Sequence, residues 1–491
     1  MNDTRRIPPP RCLRGKPRLG SKASIRLTAP SQRFIYVEDK SFTSHELNFS
    51  STDDGPVQWI AGLYYYSEDF RQEAHFNAVN LPQINAPANG PANPSGDFVF
   101  AGSDMTTESM AVFGQVDWQV TETVRLTGGL RYTHDEKEGT EQFRIICLGC
   151  APGTSPDQLG ILTPGIDITG AFVSTAPAPG VTTPLTFDPI TGRAVRGLKD
   201  SWEAVTGTAG IEWKPDADTL VYARYSRGYK SGGFNAGGIS VLPRTDPEHV
   251  DAFEAGFKTA WGRTLQINTA AYYYNYTDLQ VPLTVVIPGG AQLTEFFNIA
   301  ESSSYGLEIE AAWRPLDNLQ LLASYAFAGS EIQEACCFVD GADPLAQQPG
   351  AQPVGPLVGG QQPQSLTGQE LPQQTPHKVA LSAIYTFDLE GGSLDLAANY
   401  TWRDETYHSV FNRTYTQTPA FDRVDLRAVW TSADDAYRVI GYVKNVFDEV
   451  GYDSAEGTQY DPTFSPGLAV SQTYGLMPPR TFGVQVQLRF N

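Results

Sequence analysis

The stretch TFGVQVQLRF (481–490) decides the fold. Phe482, Val484, Val486, Leu488 and Phe490 share one side, and Thr481, Gly483, Gln485, Gln487 and Arg489 the other. Successive side chains of a strand point to opposite faces, so this pattern predicts a strand with one apolar and one wet face. The same alternation runs through VRLTGGLRYT (124–133), MAVFGQVDWQV (110–120) and SLDLAANYTWR (393–403). Read outward from these, the chain after residue 40 holds about fifteen strands and almost no helical periodicity. Short turns, as at Thr121–Glu122, Trp261–Arg263 and Ser432–Asp435, alternate strictly with long connections near 71–106, 139–200, 233–247, 281–292, 334–374, 406–418 and 451–475. That order is an antiparallel up-and-down meander with every long connection on one rim.

Composition narrows the class. The 491 residues carry 35 Lys+Arg against 55 Asp+Glu, a net charge of −20. An acidic chain repels nucleic acid, which excludes DNA and RNA as partners. Charge is uneven: residues 1–40 hold ten Lys/Arg and only Asp3, Glu38 and Asp39 as acids, leaving 25 basic and 52 acidic groups in 41–491. Residues 1–40 are therefore expected to be a separate basic leader, disordered or spurious. That leader shows no apolar h-region of a signal peptide. No apolar run approaches the length of a membrane-spanning helix.

A soluble sandwich also alternates, so three further features decide for a membrane barrel. Many strands exceed ten residues, against five or six in ordinary globular sheets, and a tilted strand needs about 9–11 residues to cross a bilayer. Gln, Arg, Asp and Asn sit in mid-strand on the polar face, as beside a wet interior. Tyrosines crowd strand ends, at Tyr64, Tyr65, Tyr66 and at Tyr272, Tyr273, Tyr274, Tyr276, where an aromatic girdle would meet lipid headgroups. In hydrocarbon every backbone polar group must be paired internally, so a sheet can span only when closed. Single-chain bacterial barrels have even strand numbers, so an odd count of fifteen implies a missing strand or strands at the N-terminal side. The segments 79–96 and 342–376, rich in Pro, Asn and Ala or in Gln, Pro and Gly, read as mobile loops without a core.

Several segments resemble the barrel of a TonB-dependent outer-membrane receptor: FTSHELNFSS (42–51) followed by WIAGLYYYSEDF (59–70), LTGGLRYTHDEKEG (126–139), YARYSRGYKSGGFN (222–235), FNIAESSSYGLEIEAAWRP (297–315), LPQQTPHKVALSAIYTF (371–387), VKNVFDEVGYDS (443–454) and PPRTFGVQVQLRF (478–490). They follow the family's order over 42–491. The resemblance implies a barrel of about 22 strands with an N-terminal plug, placed in the outer membrane of a Gram-negative bacterium. It implies uptake of a scarce small-molecule ligand such as a ferric siderophore, energised by the TonB complex, with outer-membrane lipid and the barrel assembly machinery as further partners. Against that pattern the chain is expected to be a partial barrel, about fifteen of some 22 strands, without plug or TonB-binding segment and not active in transport alone; a frame-shifted start on a truncated gene accounts for this. A passive porin-like channel and, more remotely, an outer-membrane hydrolase are the alternatives.

The candidate site residues are few. Arg227, Tyr229, Lys230 and Phe234, in RGYKSGGFN (227–235) at the long-loop rim, are candidate contacts for an anionic, aromatic ligand, against the alternative of a rim-stabilising turn. Cys147 and Cys150 form a CxxC, and Cys336 and Cys337 a neighbouring pair, in long connections; loop disulfides are favoured over a zinc site in an oxidising compartment. Cys12 is unassigned. The six histidines show no HExxH or i, i+4 ligand spacing, so no metal, no cofactor and no enzymatic role are expected. Phe490 resembles the terminal aromatic read by the assembly machinery.

Overall fold

A computed structural model of the protein describes residues 33–489 except 78–81, 148–163, 287–291 and 460–469. Fifteen strands form one antiparallel meander: β1 (Arg33–Ser50), β2 (Val57–Asn77), β3 (Asp97–Gln119), β4 (Val124–Cys147), β5 (Ala194–Asp216), β6 (Thr219–Lys230), β7 (Glu248–Trp261), β8 (Leu265–Val286), β9 (Gln292–Leu316), β10 (Leu319–Glu334), β11 (His377–Leu389), β12 (Gly392–Arg403), β13 (Phe421–Ser432), β14 (Tyr437–Lys444) and β15 (Thr481–Leu488). Each pairs with its neighbour in sequence. Among the described residues no pairing joins β1 to β15. Strand β1 starts at Arg33, ahead of the boundary that charge alone sets at residue 40, because Arg33–Lys40 continues the register of the strand onto β2. Residues 1–32, with Cys12, and Phe490 lie outside the described residues.

Alternation maps onto two faces. On β3, Met110, Val112, Val116 and Trp118 are exposed large hydrophobics, while the intervening Ala111, Phe113, Gln115 and Asp117 are buried or half-buried. Leu130 on β4 is 69% exposed and Val205 on β5 60%. Water does not reward such a continuous apolar surface, whereas a hydrocarbon layer does. The opposite face is polar: Asp117 accepts from Thr127 (2.6 Å) and pairs with Arg125 (3.1 Å), and Tyr222 donates to Glu254 (2.7 Å). No described helix is long and apolar enough to cross a membrane, which says nothing of strands.

Short turns use residues suited to them. Gly262, between β7 and β8, has φ +57°, a conformation open to glycine at no steric cost. In the β13–β14 turn Asp435 has φ +55°, and its carboxylate takes Arg489 at 2.7 Å. At the other end the strands overshoot. β4 has 24 residues and β9 has 25, well beyond what a bilayer needs, so their ends stand clear and carry the long connections.

The buried core lies up there. One apolar cluster packs Val281, Leu283, Ile299 and Ile332 of the strand extensions against Leu366, Val410 and Phe411 of two connections. A second joins Phe143, Ile145, Val173, Ala194 and Ile239. This corrects the expectation for segments 79–96 and 342–376: Ile84, Leu366 and Gln364 are each fully buried. Their composition offers no core of its own, but the overshooting strands supply the apolar partners.

Candidate functional site

The long-loop rim is held by arginines that reach several segments each. Arg196, 2% exposed, donates through Nε to Glu141 Oε1 (2.6 Å) and through Nη2 to the Ser240 carbonyl (2.7 Å). The other oxygen of Glu141 accepts the backbone N–H groups of Gly237 (2.8 Å) and Ile239 (3.1 Å). The carboxylate is thus saturated, as a buried charge must be. Arg144 joins Asp167 (2.9 Å) to the carbonyls of Thr191 and Pro91, both at 2.7 Å. Arg413 donates to the Gly350 carbonyl and to Gln364, and Tyr415 donates to Asp340 (2.5 Å). Burial pushes the Asp340 carboxyl above the usual carboxylate range, and burial with the facing Asp340 raises the Tyr415 phenol.

The segment 227–235 leaves the end of β6 beneath this roof. The Arg227 guanidinium lies 3.4 Å from both Asp251 oxygens, and Tyr225 donates to the same carboxylate at 2.6 Å. Lys230 lies over the Phe296 ring at 5.7 Å. The Tyr229 ring is 5.5 Å from His249; its buried hydroxyl faces Asp135 without a hydrogen bond of normal geometry among the described residues. Phe234, in a two-residue strand against Arg244–Thr245, meets Trp202 edge-on at 5.9 Å. The four residues thus have four different neighbours: Arg227 meets Asp251, Tyr229 meets His249, Lys230 meets Phe296 and Phe234 meets Trp202.

Trp202 was not singled out by sequence reasoning. It packs between Lys137 (5.7 Å) and Arg244 (5.8 Å), with Gly232 against its indole edge. A Cβ at Gly232 would collide with that indole and with the Thr245 carbonyl. Arg244 is neutralised by Asp200 (2.5 Å) and Asp246 (2.8 Å), and Lys137 donates to the Gly232 carbonyl (2.7 Å). The available signal was parity: Trp202 shares a face with Thr206, Thr208 and Glu212, where a large aromatic is out of place.

Cys336 and Cys337 form a disulfide between adjacent residues at an exposed point of the roof. Cys147 is disulfide-bonded, and Cys150 lies outside the described residues. Among the described residues no group of His, Cys, Asp and Glu is arranged to hold a metal ion. Four of the six histidines face carboxylates, a phenol or a threonine: His75 pairs with Asp97 (2.9 Å), His134 with Glu203 (3.2 Å), His377 with Tyr325 (2.9 Å) and His408 with Thr418 (3.1 Å), while His45 and His249 lie beside the rings of Tyr65 and Tyr229.

Comparison with known proteins agrees with this architecture. The family described as TonB dependent receptor-like, β-barrel, matches residues 17–446. The chain is 22% identical over 272 residues to the pesticin receptor of Yersinia enterocolitica, a match covering 53% of this chain and 30% of that receptor. Among solved structures it resembles the ferric yersiniabactin uptake receptor FyuA of Yersinia pestis (TM-score 0.65, 15% identity, 94% of this chain and 56% of that one). It also resembles the siderophore receptor PiuA of Acinetobacter baumannii (TM-score 0.59, 17% identity, 92% and 56%). The chain therefore spans less than a third of the curated receptor and about half of the solved ones. These families and neighbours are outer-membrane receptors and transporters, not enzymes. With that family matching most of its length, the chain belongs to the TonB-dependent receptor β-barrel family.

Proposed function

We propose that this chain forms the barrel wall and ligand-capturing roof of an outer-membrane receptor that takes up a scarce metal chelate, such as a ferric siderophore, with energy from TonB. The observation that carries the reading is the pairing of a two-faced strand wall with a packed roof on one rim only. A wall with a lipid-facing and a wet side supports passage, and an ordered roof supplies recognition before passage. No covalent chemistry is required of any residue. Strand ends and roof segments near Lys230 and Phe234 border the entry.

Deleting the gene in its host and following radio-iron uptake from a panel of ferric chelates tests this. Uptake of at least one chelate is expected to fall to background in the deletion strain and equally in a strain lacking TonB. Unchanged uptake of every chelate defeats the reading. Loss on deletion that persists without TonB would instead make the chain a passive channel.

A further inference from the structure

We infer that the long-loop mouth admits a neutral or cationic chelate and discriminates against a polyanionic one. The inference rests on the uptake reading and assigns its ligand a charge class.

The argument starts from which cations the mouth leaves free. The described residues of the seven ranges read from the sequence as long connections, overshooting strand ends included, hold seven Lys/Arg and 14 Asp/Glu. Six of those cations have a carboxylate within 4.0 Å. Arg71 pairs with Glu73 (2.6 Å), Arg144 with Asp167 (2.9 Å) and Arg196 with Glu141 (2.6 Å). Lys199 bridges Glu136 (2.8 Å) and Glu138 (2.6 Å). Arg244 takes Asp200 and Asp246, and Arg413 lies 3.9 Å from Asp340. The seventh, Arg193, donates to Gln142 (3.2 Å) and is stacked 3.4 Å from the Phe100 ring centroid. Arg144, Arg196 and Arg413 are, in addition, almost wholly buried, with their guanidinium N–H groups directed at loop carbonyls. Each is committed to tying the roof together.

What remains exposed and unpaired on these ranges, among the described residues, is of one sign. Asp104, Glu334, Glu370, Asp453 and Glu456 stand on the exposed surface of these connections, with no Lys or Arg within 4.0 Å among the described residues. Burial and the neighbouring Glu405 push the Glu370 carboxyl up, as happens where two carboxylates meet without a cation between them. At the rim of β6, Arg227 is already answered by Asp251, and Lys230, exposed and without a carboxylate within 4.0 Å among the described residues, lies over the Phe296 ring. A polyanion approaching this mouth meets a negative field, with the single Lys230 ammonium at the β6 rim and every roof guanidinium already engaged; a neutral or cationic chelate meets no such barrier. Fields of this kind change capture by 10- to 1,000-fold and fade with salt.

The test uses the 491-residue chain in detergent micelles and three radio-iron probes in filter binding: a monocationic linear trihydroxamate, a neutral cyclic trihydroxamate and a trianionic tris-catecholate. At low ionic strength the tris-catecholate is expected to bind at least about tenfold more weakly than the better hydroxamate, with the gap narrowing as salt rises to physiological strength. The variant E334K/E370K/E456K, all exposed positions, should close that gap, and E334Q/E370Q/E456Q should fall between. Tris-catecholate binding as tight as the hydroxamates', or a preference indifferent to charge reversal, overturns the inference and leaves the uptake reading standing. Binding of none of the three overturns both.

Discussion

At the scale of single residues, the roof depends on buried charges whose partners are fixed. Arg196 and Glu141 are each almost fully buried and satisfy one another and three backbone groups. Removing one partner strands the other, a change worth about 3–5 kcal/mol when the pair is buried. Arg196→Met should therefore free the 237–240 segment, seen as lost amide protection at Gly237 and Ile239, whose N–H groups Glu141 holds. Retained protection there would show the pair to be dispensable. Asp340 makes a second case. Its carboxyl sits above the ordinary Asp range because burial disfavours the charged form. A raised folded value means that the stabilisation is complete below the unfolded value of about 3.9 and is lost as pH rises through the folded one. Protection factors in 338–366 should thus decline as pH rises above about 4, and Asp340→Asn should flatten the profile. A profile that instead rises with pH would mean that Arg413, not burial, governs the site.

At the scale of elements, wall and roof are stabilised by different things. The wall is a ladder of backbone hydrogen bonds between sequence neighbours; the roof has side-chain cores. Phe411, 4% exposed, packs in the cluster with Ile299, Ile332 and Leu366. Phe411→Ala should cost about 3–5 kcal/mol locally, opening the 334–376 and 404–420 connections to protease. The wall should keep its heat-resistant electrophoretic mobility; loss of that mobility would show that roof and wall are one cooperative unit. The same division explains what the sequence disclosed. All fifteen strands were legible, because alternation is written at period two in adjacent residues, as in 481–490 and 124–133. The order of short and long connections followed from it. The roof was not legible. Leu366 and Ile84 sit in Pro- and Gln- or Asn-rich stretches whose apolar partners come from strands far away in sequence, and no local pattern records that. Trp202 was missed for a related reason: it obeys the alternation, and only its chemistry is out of keeping with its face.

At the scale of the whole molecule, the membrane reading makes a prediction that a water-soluble sheet would not. Leu130 is 69% exposed on the apolar face and lies seven residues into β4. A solvated surface would accept Leu130→Arg with little change. In a bilayer the same substitution near the midplane costs about 2–4 kcal/mol. Urea unfolding of the chain in lipid vesicles should show that loss for Leu130→Arg, and a far smaller one for Thr208→Arg on the polar face. Equal effects at the two positions would remove the distinction between lipid-facing and inward-facing sides.

The overshooting strands also set an order of assembly. Among the described residues the fifteen wall strands pair only with strands adjacent in sequence within the wall, whereas the roof brings Val281 to Leu366 and Phe411, and Arg196 to Ser240. Contacts close in sequence form at small loop-closure entropy; distant ones wait until the intervening chain is already ordered. The wall is thus a zipper and the roof its clasp, fastened last. Timed proteolysis during refolding should find the strands protected while 334–376 is still cut, so a newly inserted barrel passes through a stage that spans the membrane before it can recognise anything.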